Sequence, residues 1–298
     1  VRRALPRACP HLSPARTDAS MTDSRDITRH YVHAGDLRSR LCEALMDDGA
    51  DPDRPTLEAL APYDQFHGRG LEATLELATL IEAQPGHHLL DIGSGIGGPA
   101  RFFADRFGCH VTGIDLTPEF CELAAHLTQL TGLQDRVTFE VGDALAMPFP
   151  LGTFHGAYSM NVSMNIADKA GLYAAIHRVL KPGAWLILSE IARGATGTLS
   201  YPTPWASSQA TSFLATPEET RRGLEQAGFD VLAMRSTREA TLAFGARSRA
   251  MAERGEKPPH RSVMLIHQAL AKPAMANVAR GLADGAIEPV EILAHRRD

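Results

Sequence analysis

The run Leu89-Leu90-Asp91-Ile92-Gly93-Ser94-Gly95-Ile96-Gly97-Gly98-Pro99-Ala100-Arg101 constrains this chain more than any other stretch. Its apolar start is too short for a helix and ends in an acid. A glycine-rich turn follows, and then a helix-compatible segment. The pattern predicts a strand feeding a tight loop that opens a helix, which brings a nucleotide-like ligand against bare backbone. A second acid at a predicted strand end, Asp115, stands 24 residues after Asp91. Gly93, Gly95 and Gly98 satisfy G-x-G-x-x-G, and Asp115 lies near the distance at which a dinucleotide fold places its ribose-binding acid. A nicotinamide-dependent oxidoreductase is therefore one reading. Two features weigh against it. Asp91 lies inside the strand end, before the first glycine, and a third acid follows the next predicted strand in Val141-Gly142-Asp143-Ala144.

Around this run the chain alternates. Strands are predicted at 88–92, 111–114, 137–141, 156–159 and 185–190, with helices at 98–107, 118–131 and 169–180. Strands alternating with helices predict a parallel sheet covered on both faces. Residues 26–50 have helical spacing, and a further helix is expected over 71–83. Residues 192–216 form a long Gly/Ser/Thr/Pro-rich loop, which in a compact domain is functional or disordered. Thr216-Pro217-Glu218-Glu219 starts another helix, with threonine as N-cap and acids in the first turn. A strand at 229–234, a helical stretch at 238–284 and a last strand at 289–294 complete the pattern. The last two strands are expected to pair at one edge of a seven-stranded mixed sheet, one of them antiparallel.

With 298 residues, 44% of them apolar and 22% charged, the chain suits one large α/β domain with additions. A net charge of -5 gives no electrostatic case for nucleic acid or an anionic membrane. No apolar run approaches the roughly 20 residues of a membrane span. Cys9, Cys42, Cys109 and Cys121 form no C-x-x-C pair, so neither a zinc site nor a disulfide framework is expected, and a cytoplasmic location is the default. Residues 1–25 read as a disordered leader, with Arg2, Arg3, Arg7 and Arg16 among prolines. Met21 is the expected natural start, a targeting presequence the alternative. Residues 26–298 then form one domain, with a helical cap at 26–84 and lid insertions at 192–216 and 238–284.

The stretches 89–98, 113–115, 142–144 and 178–184, taken in order, resemble the class I S-adenosylmethionine-dependent methyltransferases. The resemblance covers roughly residues 71–234. It implies a doubly wound, Rossmann-like seven-stranded fold and S-adenosyl-L-methionine as cofactor. Gly93, Ser94, Gly95 and Gly97 would pass close to the methionine part. Asp91 would orient its ammonium end. Asp115 would take both ribose hydroxyls, with Leu116 beside it. Gly142, Asp143 and Ala144 would meet the adenine edge, and Asn161 and Val162 would face the sulfonium and substrate.

The segments 63–70 and 158–165 are similar to those of bacterial sarcosine/dimethylglycine methyltransferases and, more loosely, of ubiquinone/menaquinone C-methyltransferases. Asn161 and Asn165 depart from the acidic and histidine-containing pattern of the glycine-betaine enzymes. The implied reaction is methyl transfer to a small molecule, with an amino acid or amine nitrogen as first choice and a carbon or oxygen of a quinone, phenol or lipid precursor as second. A non-catalytic cofactor-binding subunit is a further alternative, and a homodimer stays open. His67 and Asn161 are the catalytic candidates. His67 suits a general base because its ordinary pKa is near neutrality, or it caps the next helix. Gln65 binds the cofactor carboxylate or caps a turn. Tyr31, Phe66, Tyr201 and Trp205 line an aromatic pocket for a cationic amine or simply pack. Ser163 and Asn165 bond the substrate or cap the loop. No metal is expected; His87-His88 reads as a turn into a strand.

Overall fold

The computed structural model describes residues 37–298. The expectations for the 1–25 leader, for Tyr31 and for the start of the first cap helix lie outside the described residues. The cap holds α1 (Leu37–Asp47), α2 (Leu57–Asp64) and α3 (Leu71–Ala78). The alternating region follows as β1 (His88–Ile92), α4 (Gly98–Phe107), β2 (His110–Asp115), α5 (Pro118–Leu130), β3 (Val137–Val141), β4 (Phe154–Met160), α6 (Lys169–Val179) and β5 (Leu180–Arg193). The C-terminal part holds α7 (Pro217–Gln226), β6 (Phe229–Ser236), α8 (Arg238–Glu253), α9 (Ser262–His267), α10 (Ala271–Asp284) and β7 (Ile287–Arg296).

The seven strands form one sheet in the order β3-β2-β1-β4-β5-β7-β6. The first five are parallel, and β7 runs antiparallel between β5 and β6. The three helices of 238–284 connect β6 to β7, as the sequence pattern predicts. Leu89 and Leu90 point to opposite faces. Leu90 joins Leu186 and Leu188 under Leu172, Ile176 and Val179 of α6. Leu89 joins Val111, Trp185 and Ile187 under Leu77, Phe103 and Ala104. Strand order reverses between β1 and β4. The carboxyl ends beside such a reversal are where an open α/β sheet binds ligand.

Three local expectations are corrected. The helix expected over 71–83 ends at Ala78, where the Thr79 hydroxyl donates to the Glu76 carbonyl at 2.7 Å and competes with the next helical turn. α2 was not among the helices expected within the cap. Thr56 starts it by accepting from the Ala59 amide, and Pro62 is tolerated inside it. The loop predicted from 192 begins two residues later, since β5 runs through Arg193. Thr216 does cap α7, in a reciprocal capping box with Glu219. Among the described residues no helix is long and apolar enough to cross a membrane.

Candidate active site

The site is built at the carboxyl ends of β1, β2 and β3, which lie side by side in parallel register, Asp91 opposite Gly113 and Asp115 opposite Val141. Gly93, Gly95 and Gly97 all adopt positive φ, at 71°, 53° and 81°. Glycine holds that backbone without the Cβ clash that strains most other residues there. The loop is also tightly covered. A Cβ on Gly93 would sit 2.3 Å from Val162 Cγ2, and one on Gly95 would meet the Phe66 ring at 3.0 Å. Phe66 is held edge-on against Phe120 of α5. The loop is thus roofed by two residues far apart in sequence, Phe66 from the cap and Val162 from the β4–α6 connection.

The three acids converge. The Gly95 and Thr117 amides both donate to the Asp115 carboxylate, at 2.9 Å each. The Gly142 amide donates to the Asp115 carbonyl at 2.9 Å, tying the β3 end to the β2 end. Asp143 accepts from the Leu145 amide at 2.9 Å. Asp115, Leu116, Asp143 and Ala144 are half-buried, with surface left to meet a ligand. Burial pushes the Asp115 carboxyl above the ordinary range despite these amide donors. Asp91 is enclosed more fully. Burial pushes its pKa up to about 8, against the pull of the Tyr158 hydroxyl, while the charge of Asp115 pushes the same way. Asp91 Oδ2 and Ser94 Oγ are buried without a hydrogen-bond partner. Buried polar atoms of this kind call for a donor. An ammonium group would supply Asp91 with one, and its charge would offset the burial. The residues therefore fit the methionine end of S-adenosylmethionine.

Asn161 follows β4 directly and takes a left-handed conformation, φ 60°. Its amide donates to the Ser189 carbonyl at 2.8 Å, and its Nδ2 faces Gly68 of the cap. The next residues hang on a carboxylate that sequence reasoning missed. Glu190 Oε2 accepts from the Val162 and Ser163 amides at 3.1 and 3.0 Å, and Oε1 accepts from Ser159 Oγ at 3.0 Å. A signal was available. Along one face of β5 the residues run Ala184, Leu186, Leu188, Glu190, Ala192, and the acid interrupts an apolar period.

The structure treats the substrate-side candidates unevenly. His67 is buried, with Nδ1 3.2 Å from the Gly68 carbonyl and Nε2 3.1 Å from the Thr74 hydroxyl and 3.3 Å from Gln65 Oε1. Burial, then the charge of His260, pushes its pKa down to about 3, so the ring is neutral at neutral pH. Gln65 is buried in the same cluster, accepting from Thr74 at 2.6 Å and donating to Asp64 at 3.0 Å. Trp205 packs among Met164, Leu282 and Ile287 and donates its indole N–H to Ser212 at 2.9 Å. Asn165 donates to the Trp205 carbonyl at 2.6 Å. Tyr201 packs against the same cluster. Among the described aromatic candidates, Phe66 is the one set against the glycine loop.

Residues 90–188 match the methyltransferase domain family. By sequence, the chain is 28% identical to a methyltransferase, GfsG, of Streptomyces halstedii over 60% of this chain and 63% of that protein. It is 34% identical to phosphoethanolamine N-methyltransferase of Triticum aestivum over 44% of this chain and 27% of that one. The matched stretch thus spans less than two thirds of either relative. By structure, it resembles geranyl diphosphate C-methyltransferase of Streptomyces coelicolor A3(2), solved with S-adenosyl-L-homocysteine. The TM-score is 0.65 at 19% identity, over 92% of this chain and 98% of that one. It also resembles Haemonchus contortus phosphoethanolamine N-methyltransferase 2, solved with phosphomonomethylethanolamine and S-adenosylhomocysteine. Here the TM-score is 0.67 at 20% identity, over 89% of this chain and 61% of that one. These matches set aside the nicotinamide alternative. The fold, the glycine loop with its three acids and the family match agree: residues 90–188 form a methyltransferase domain, similar to those of S-adenosylmethionine-dependent methyltransferases.

Proposed function

We propose that this protein transfers a methyl group from S-adenosylmethionine to a small-molecule acceptor, most simply the nitrogen of an amino acid or amine. The observation that carries the reading is the buried, unpartnered Asp91 Oδ2 beneath a loop of positive-φ glycines, with Asp115 and Asp143 at the adjoining strand ends. The cofactor, when bound, supplies a sulfonium methyl activated for in-line displacement. The work of the chain is alignment and exclusion of water. Asp91 holds the ammonium end, Asp115 the ribose hydroxyls, and Asp143 with the Ala144 amide the adenine edge. Phe66 and Val162 cover the glycine loop, and Asn161 faces the acceptor.

The choice of nitrogen rests on what surrounds His67. Each of its ring nitrogens has a protein partner, and at a pKa of about 3 the ring is a weak base. A hydroxyl or carbon acid needs a positioned base, whereas an amine that arrives deprotonated does not. His67 then serves to hold the 65–68 segment rather than to accept a proton. Relatives bearing names for N-methylation of phosphoethanolamine keep the same company.

Calorimetric titration with S-adenosylhomocysteine tests the cofactor half, with NADH as control. Micromolar binding that Asp115→Ala weakens at least about 30-fold is expected, since a charge-assisted bond and its partner are lost. Failure of folded protein to bind S-adenosylhomocysteine would sink the reading. Glycine, sarcosine and dimethylglycine are the first acceptors to assay.

A further inference from the structure

Glu190 is nearly inaccessible and lies on the face of β5 whose neighbours are Leu186, Leu188 and Ala192. A carboxylate in that apolar setting is costly unless several donors meet it. Here the donors are specific. Two are consecutive amides of the turn after β4, and the third is the hydroxyl of Ser159, which lies in β4 itself. The same turn is held from its other side by Lys169, whose ammonium donates to the Ser163, Ile166 and Phe213 carbonyls at 2.6, 2.5 and 2.7 Å. The groups facing Glu190 are thus Ser159 from β4, Val162 and Ser163 from the turn, and Lys169 and Tyr173 from α6. Val162 in turn packs on Gly93. One buried carboxylate connects the acceptor-facing turn to the cofactor loop.

We propose that Glu190 is a positioning residue for the turn 161–165: its ionised carboxylate clamps the Val162 and Ser163 amides, and loss of the charge loosens that clamp. The proposal deepens the methyl-transfer reading, because this turn is the one assigned to the sulfonium and acceptor. Burial pushes the Glu190 pKa up to about 7, with Ser159 and Ser163 opposing, so the charge changes within the working pH range. Protonation leaves Oε2 an acceptor but a weaker one, since bonds to an ionised acceptor are roughly twice as strong as neutral ones.

Amide hydrogen exchange of the full chain without ligand tests this, with rates corrected for intrinsic pH dependence. Protection of the Val162 and Ser163 amides is expected to fall by about tenfold in wild type between pH 8 and pH 6, the scale of one charge-assisted bond. In Glu190→Gln, which keeps an amide oxygen in place, protection is expected to be lower at pH 8 and flat across that range. Glu190→Ala is expected to lose protection at both pH values. Wild-type pH dependence persisting in Glu190→Gln, or undiminished protection in Glu190→Gln at pH 8, would overturn the proposal. Because no ligand is present, the result stands apart from S-adenosylhomocysteine binding, whose failure would strike the methyl-transfer reading alone.

Discussion

Asp91 concentrates the conflict between stability and binding in one side chain. An ordinary aspartate ionises near 4, and the buried carboxyl of Asp91 does so at about 8. Between those values the folded protein holds a proton that the unfolded chain releases. The contribution of this group to stability therefore declines as pH rises from about 4 to about 8 and stays lost above. Asp91→Asn removes that slope. Thermal unfolding is expected to give equal melting temperatures near pH 4 and a variant more stable by at least about 1 kcal/mol, roughly 2–4 °C, at pH 8. The same variant is expected to bind S-adenosylhomocysteine at least about 30-fold more weakly, because the ammonium loses its counter-charge. The glycines are equally exacting. Gly93→Ala drives a methyl into Val162 and forces a left-handed backbone on alanine, so binding is expected to fall at least about tenfold in the same titration. Asp91, Asp115 and the glycines were legible because their type and spacing carry the chemistry. Glu190 was not read, because its role needs the turn at 162–163 folded back over β5.

At the scale of elements, α2 is joined to α4 by a buried ion pair. Arg101 is fully buried and donates to Asp64 Oδ2 at 2.9 Å, to the Ile96 carbonyl at 2.8 Å and to Thr128 Oγ1 at 3.2 Å. Gly98 completes the junction, since a Cβ there would sit 2.4 Å from the Asp64 carbonyl. Removing one partner of a buried pair leaves the other uncompensated. Asp64→Ala is expected to cost about 3–5 kcal/mol, read as a lower denaturation midpoint at unchanged m-value. Asp64→Leu combined with Arg101→Met is expected to recover most of the loss. Sequence periodicity located the helix around Arg101 but said nothing of its partner, 37 residues upstream. It missed α2 as well, a helix of eight residues with a proline inside it and too short for a clear period.

Across the whole molecule, the C-terminal insertion grips the N-terminal cap. Asp48 of the cap meets Arg261 and, at 2.6 Å, Lys257. Arg261 also stacks 4.6 Å over the Tyr63 ring, and its amide donates to the Pro62 carbonyl at 2.7 Å. Arg247 reaches Glu72 at 2.7 Å, and Arg69 bridges Glu76 of α3 to Glu291 of β7. The Asp48–Arg261 contact is partly exposed and worth roughly 1 kcal/mol. Arg261→Ala, which also removes the stack on Tyr63, is therefore expected to cost only about 1–2 kcal/mol of global stability. It is also expected to speed hydrogen exchange in both 257–267 and 41–64, two regions more than 190 residues apart. Acceleration in one region alone would mean that cap and insertion move independently. The alternation of strands and helices, the antiparallel edge pair and the acids at strand ends follow from local pattern: strand and helix periods, glycine at obligatory turns, acids closing apolar runs. The amino-acid sequence by itself determined those. The strand order, which side chains roof the glycine loop, where Glu190 anchors the 161–165 turn, how Trp205 becomes core, and that cap and insertion clasp each other were decided only by the tertiary structure. Each depends on contacts between distant segments, whose register no local periodicity encodes.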